Sequence, residues 1–190
     1  KHAAFLHIAI NNLLQNQAIL PKNLSAIGVS SGPGSYTGIR VGLATAKGLC
    51  YGLNIPLITF NSLELMALSS IMETQNRDAM YCTMIDARRM EVYTAVYDYN
   101  REELIPPSAM ILTEHAFKEI EQSKKIYFSG DGSHKFKELT KNPNHIFINS
   151  VISSGSLAQI SWQKFERKEF ENVFYSKPLY LKEFVLPGKL

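Results

Sequence analysis

The sequence predicts an α/β fold built of two related halves. Three observations lead there. Apolar positions switch repeatedly between helical and strand periods, residues 1–77 read as αβαβα, and residues 78–190 read as βββαβαβα, whose last five elements repeat the first string. The likeness lies in element order, with no residue-level period beneath it.

Taken in order, residues 2–16 place Phe5, Leu6, Ile8, Ala9, Ile10, Leu13 and Leu14 at helical spacing and stop before Pro21, which predicts a helix. Leu24 to Ser30 is short and partly β-branched and predicts a strand; Gly32-Pro33-Gly34 breaks it, and a helix is expected from near Thr37 to about Leu53. A second strand, Leu57 to Phe60, follows Pro56, and Asn61 with Glu64 has the spacing of a capping box opening a helix through about Glu73. MYCTMIDA and EVYTAVYD alternate with only Arg88-Arg89-Met90 between them, a hairpin pattern, and Leu104 to Leu112 supplies a third strand. Thr113 is expected to cap a helix. Then come a strand at Ile126 to Ser129, a turn at Gly130-Asp131-Gly132, a helix to about Lys141, a strand at Ile146 to Ile148 and a helix from Ser154 to about Phe170. A chain that opens in a helix ahead of parallel βαβ units lacks the strands that helix should pack on, so the natural protein is expected to continue upstream of Lys1.

With 190 residues, 45% hydrophobic and 19% charged, the chain can bury a sizeable core and is neither a disulfide scaffold nor a disordered segment. Twenty Lys and Arg against 17 Asp and Glu leave a net charge of +3 with no basic block; Arg88-Arg89, Lys124-Lys125 and Lys164 to Lys168 read as solvated faces and not as a nucleic-acid surface. Cys50 and Cys82 fit neither a CxxC motif nor metal-ligand spacing, which points to a reducing compartment and a cytoplasmic location. No apolar run approaches the ~18 residues of a membrane span, and the first residues lack the order of a signal peptide, so no membrane contact is expected.

The most informative stretch is SSGPGSYTGIR, residues 30–40, between a strand and a helix. Its glycines permit tight turning, and free N–H groups at a helix start can hold an anion. The pattern nevertheless misses both named phosphate loops: there is no GK[ST], and Gly38 lies four residues after Gly34 where GxGxxG needs three. Gly32, Gly34 and Gly38 are read as a structural glycine loop, with a phosphate or partner contact as the alternative. His2 and His7 stand five apart, which on a helix leaves their rings about 140° from one another, so no metal site is expected. His115, His134 and His145 read as surface or hydrogen-bonding residues. No GxSxG elbow is present, both cysteines sit in apolar contexts, and Asp86-Ala87-Arg88-Arg89 reads first as turn chemistry. Asp131 between two glycines could adjoin a phosphate, but a lone GDG is common. A convergent acid, base and nucleophile set is not visible, and no cofactor is expected.

SSGPGSYTGIRVGLATAKGLCYGLNIPLITFNSLELMA closely resembles the glycine-rich loop, second helix and following strand of the TsaB (YeaZ) family, and DARRMEVYTAVY resembles that family's DAR-GEVY hairpin, with Met90 where the family often has glycine. GDG and PLYLK support the match. The resemblance implies the duplicated actin-like, sugar-kinase-like (ASKHA) fold, with the opening strands of the first half and their Asp-Thr/Ser motif absent from this chain. It also implies a non-catalytic subunit that binds TsaD, works with a TsaE-like ATPase and supports threonylcarbamoyl transfer to adenosine of tRNA, meeting tRNA through the complex and forming a homodimer when alone. Two other classes stay open: a nucleotide-binding kinase-like protein or ATPase of the same superfold, and a glycopeptidase-like peptidase, for which no nucleophile elbow or HExxH is present. The apolar positions of the first helix cover about 240°, well beyond the ~100° that one core contact needs. The second helix carries Val41, Thr45, Gly48 and Gly52 opposite Ile39, Leu43, Ala46, Leu49 and Cys50. With the resemblance, these patterns name Phe5, Ile8, Ala9, Asn12, Val41, Thr45, Gly48 and Gly52 as partner-binding residues.

Overall fold

The protein is described by a computed structural model that covers residues 2–120 and 124–182. Its chain divides into two compact units, one of residues 1–62 and 157–179, the other of residues 63–156 and 180–190.

The first unit opens with α1 (His2–Asn16), as its apolar spacing predicts, followed by a 3-10 turn at Pro21–Asn23. Next come β1 (Ile27–Gly32), α2 (Tyr36–Leu53) and β2 (Leu57–Asn61). β1 and β2 pair in parallel, the geometry a βαβ crossover imposes. α2 turns Leu43, Ala46 and Cys50 onto Leu57, with Ile27, Ile55 and Val173 packed at the margin, so the i, i+3, i+7 spacing of α2 is its core face. Ser35 caps α2 by accepting the Gly38 N–H at 3.3 Å, and Asn54 ends the helix in the left-handed conformation at φ 53°. At the far edge of β2, Glu171 N–H donates to the Leu57 carbonyl at 2.8 Å. β1 begins three residues later than its apolar run suggests, because Leu24 closes the 3-10 turn by donating to the Pro21 carbonyl.

The second unit is a five-stranded sheet in the order β5-β4-β3-β6-β7, made by β3 (Met80–Asp86), β4 (Glu91–Tyr97), β5 (Glu103–Ile111), β6 (Ile126–Ser129) and β7 (His145–Phe147). The β3–β4–β5 meander is antiparallel, and β6 and β7 add in parallel. β3 alternates cleanly. Met80, Cys82 and Met84 face a cluster with Val92, Val96, Phe128 and Phe136, while Tyr81 faces the opposite cluster with Ala95, Tyr97 and the residues Leu63, Ala67 and Ile71 of α3 (Ser62–Thr74). Both faces are covered, which is why β3 reads as a nearly unbroken apolar run. Pro106 and Pro107 lie in the outermost strand, where a missing N–H costs no ladder bond.

Three expectations need correction. Thr113 does not cap an α-helix: its hydroxyl accepts the His115 N–H at 3.3 Å in a local turn, and only a 3-10 turn at Lys118–Ile120 follows, with residues 121–123 outside the described ones. The helix after Gly132, α4 (Ser133–Lys137), stops four residues short of Lys141, because Thr140 turns the chain by accepting the Asn142 N–H and bonding His145 Nδ1 at 2.7 Å. The last helix, α5 (Ser154–Glu166), also ends early. Glu64, in the first turn of α3, pairs with Arg101 at 3.1 Å. Among the described residues, no helix is long and apolar enough to cross a membrane.

Candidate functional site

α1 is apolar on two sides, and the structure separates them. Leu6, Ile10 and Leu14, at i, i+4 and i+8, are half-buried, whereas Phe5, Ile8 and Leu13 are 69%, 58% and 62% exposed. Ala9 is half-buried and Asn12 exposed, so Phe5, Ile8, Ala9 and Asn12 form one row at i, i+3, i+4 and i+7 along the outward side. The inner stripe is spent on the unit's own packing. The outer one has no cover within the unit.

Beside this row, α2 presents a row of small residues. His7, Ala44, Thr45, Gly48 and Leu49 line a shallow groove of about 300 Å³. Gly48 and Gly52 face open space, with nothing within 4 Å of where a Cβ would stand. Thr45 is buried in the groove floor and Val41 is half-buried. The exposed row runs instead through Ala44, Gly48, Tyr51 and Gly52. Ala44 and Tyr51 escaped the sequence reading, although a shift of one position along the same helical spacing would have found them. Leu49 lines the groove and does not join Leu43, Ala46 and Cys50 in the core.

The glycine loop is closed by its own chain. Gly32 has φ +108°, and a Cβ there would stand 2.9 Å from Ile39 Cδ1 and 3.2 Å from the Leu179 carbonyl oxygen. Gly34 has φ +154° and more space, while Gly38 lies in the first turn of α2 beneath the Ser35 hydroxyl. The hydroxyls of Ser30 and Ser31 are engaged with Ser62 and with the Phe60 carbonyl. The second loop is filled as well. Gly130 has φ +91°, and a Cβ there would stand 2.2 Å from the Met84 carbonyl oxygen; one on Gly132 would meet Val92 and the β3 backbone at 2.8–3.1 Å. Asp131 accepts the Asp86 N–H at 2.9 Å. The side chains of Ser30, Ser31, Ser35 and Asp131 thus all bond groups of the chain itself.

Nucleophile chemistry finds a poor setting too. Both cysteines are free and buried. Burial pushes the Cys50 thiol up, and pushes Cys82 up to about 12, so neither offers a thiolate near neutral pH. At the β3–β4 turn, Lys135 donates to Asp86 at 2.7 Å, and that bond, with the Arg88 N–H, lowers the Asp86 carboxyl. The left-handed residues of this turn are Arg88 and Arg89, at φ 71° and 50°, and Met90 is not among them.

Comparison with known proteins adds the family. A family model described as TsaD, tRNA N6-adenosine threonylcarbamoyltransferase, matches residues 1–182. The tRNA threonylcarbamoyladenosine biosynthesis protein TsaB of Bacillus subtilis is 32% identical over 137 residues, 70% of this chain, and the chain spans only 58% of that relative's length. The protein of the same name from Escherichia coli is 25% identical over 191 residues, with 95% of this chain and 82% of the relative covered. A crystal structure of an uncharacterized protein with similarity to peptidase YEAZ from Pseudomonas aeruginosa superposes with a TM-score of 0.80 at 20% identity, covering 96% of this chain and 85% of that one, which bears on the fold alone. The actin-like α/β fold, the TsaD-type domain and the matched TsaB sequences agree: the chain belongs to the TsaB/YeaZ family.

Proposed function

We propose that this protein is a non-catalytic subunit in tRNA threonylcarbamoyladenosine biosynthesis, which docks a TsaD-type transferase through α1 and α2 and works with a TsaE-like ATPase, meeting tRNA only through the assembly. The observation that carries the docking reading is the second apolar stripe of α1: Phe5 and Ile8 stand exposed beside a row of Ala44, Gly48 and Gly52 that lets another helix come close. The biosynthetic role is supported by the names of the relatives, and the lack of an activated nucleophile in Cys50 or Cys82 favours a supporting part over a peptidase. The kinase-like reading is weakened by loops whose glycines pack against their own chain. When alone, two copies can pair through the same face. Reconstitution tests the role: threonylcarbamoyl transfer to tRNA is expected only when a TsaD-type partner is added. Turnover by this protein by itself, in a preparation shown to lack TsaD, would overturn the proposal.

A further inference from the structure

Charge is distributed very unevenly along this chain. Residues 1–63 contain no Asp or Glu, and all 17 carboxylates lie from Glu64 onward. The same stretch holds four cations, Lys1, Lys22, Arg40 and Lys47, so it carries +4, while the remainder sets 16 cations against 17 acids for −1. α1 and α2 both lie in the acid-free part.

The cations of α2 are placed on the edge of the exposed row. At ~100° per residue, Arg40 and Lys47 point within about 20° of each other and flank the Ala44, Gly48 and Tyr51 side of the helix. Arg40 lies over the Tyr36 ring, 5.0 Å from its centroid, and bonds the Tyr36 hydroxyl. Lys47 donates to the carbonyls of Phe174 and Ser176, at 3.2 and 2.9 Å. All of these acceptors are neutral, and among the described residues neither cation has a carboxylate partner. In the unit's C-terminal part, Glu169 is 4.0 Å from Lys164 and 3.7 Å from Arg167, and Glu171 accepts from the Thr59 hydroxyl.

From this we infer that the α1–α2 face selects a partner protein whose docking helices carry carboxylates around an apolar seam, in preference to a second copy of this chain. The inference rests on the docking reading above and adds the partner's chemistry to it. A second copy would bring Arg40 and Lys47 of both chains to one seam with no carboxylate from residues 1–63 to meet them, and an unpaired cation is costly to bury. An acidic rim would pair them and also steer encounter, since opposite fields accelerate association and like fields retard it. RNA is the other anionic class, but few cations on a largely apolar face are too thin a phosphate track.

The test is stopped-flow association of the wild-type protein with the TsaD-type protein of the same genome at 50 and 500 mM NaCl, beside Arg40→Gln, Arg40→Glu and Gly48→Arg, with circular dichroism on each and sedimentation for self-association. For wild type, the association rate is expected to fall at least tenfold across that salt range. Arg40→Glu should be about tenfold slower at low salt with a flattened salt dependence, Arg40→Gln should lie between, and self-association should tighten with salt and in Arg40→Glu. A salt-independent rate equal in wild type and Arg40→Glu overturns the charge selection while leaving docking intact, provided Gly48→Arg still abolishes binding. If folded Gly48→Arg binds like wild type, the docking reading itself fails. Binding of tRNA by this protein alone, lost in Arg40→Glu, would assign the face to nucleic acid instead.

Discussion

At Gly32 the backbone conformation and the packing demand the same residue, since φ is +108° and an added Cβ would stand 2.9 Å from Ile39 Cδ1. Gly32→Ala is therefore expected to cost at least about 2 kcal/mol, whereas Gly38→Ala, at a helical position, should stay within about 1 kcal/mol of wild type; chemical denaturation of the two variants checks this. The opposite case is the β3–β4 turn, where Arg89 occupies a left-handed conformation at φ 50° with an exposed side chain. Arg89→Gly should stabilise the protein by about 1 kcal/mol, read from the denaturation midpoint. Beside it, Asp86 is held below its ordinary value of 3.8, first by its bond to Lys135 and then by the Arg88 N–H. A lowered carboxyl stabilises the fold above its unfolded-state pKa, and that contribution is lost as pH falls through the folded one. Asp86→Asn should thus destabilise the protein at pH 7 and lose less stability than wild type between pH 4 and pH 2, which urea titrations at each pH will measure.

Among the elements, those set by local periodicity were readable from the sequence. The span of α1, the β3–β4 hairpin and β6 lie where their patterns place them, because alternation or helical spacing in each is completed by packing on the expected faces. Elements decided by side-chain bonds were not readable: Thr113 and Thr140 each divert the backbone into a turn through one hydroxyl, and nothing in composition distinguishes them from helix caps. On α1 the period found Phe5, Ile8 and Asn12 at exposed positions but passed over Leu13 and included the half-buried Ala9, and on α2 it could not tell Thr45 in the groove floor from Ala44 on the surface. The two stripes of α1 predict a contrast. Ile10→Ala should cost about 1 kcal/mol by thinning the inner packing, while Ile8→Ala should change stability by less than about 0.5 kcal/mol and weaken partner binding; thermal melts and binding assays separate the two.

At the scale of the whole chain, the compact units do not follow a cut between residues 77 and 78. α3 falls with the sheet of β3 and β4 because Leu63, Ala67 and Ile71 pack on Tyr81, Ala95 and Tyr97, while residues 157–179 return to the unit of α1 and α2. Such contacts join residues far apart in sequence, and no local pattern announces them. The element order was visible apart from the helix expected after β5; the return of residues 157–179 to the first unit was not. If α1 and α2 form a docking face whose residues are dispensable for folding, Gly48, with open space around it, is where a large side chain should block the partner and spare the fold. Light scattering behind size exclusion, on wild type and Gly48→Arg with and without the TsaD-type partner, tests this most directly. A Gly48→Arg protein with wild-type circular dichroism that elutes as a monomer in both conditions is the predicted result, and one that forms the same complex as wild type would contradict the docking face.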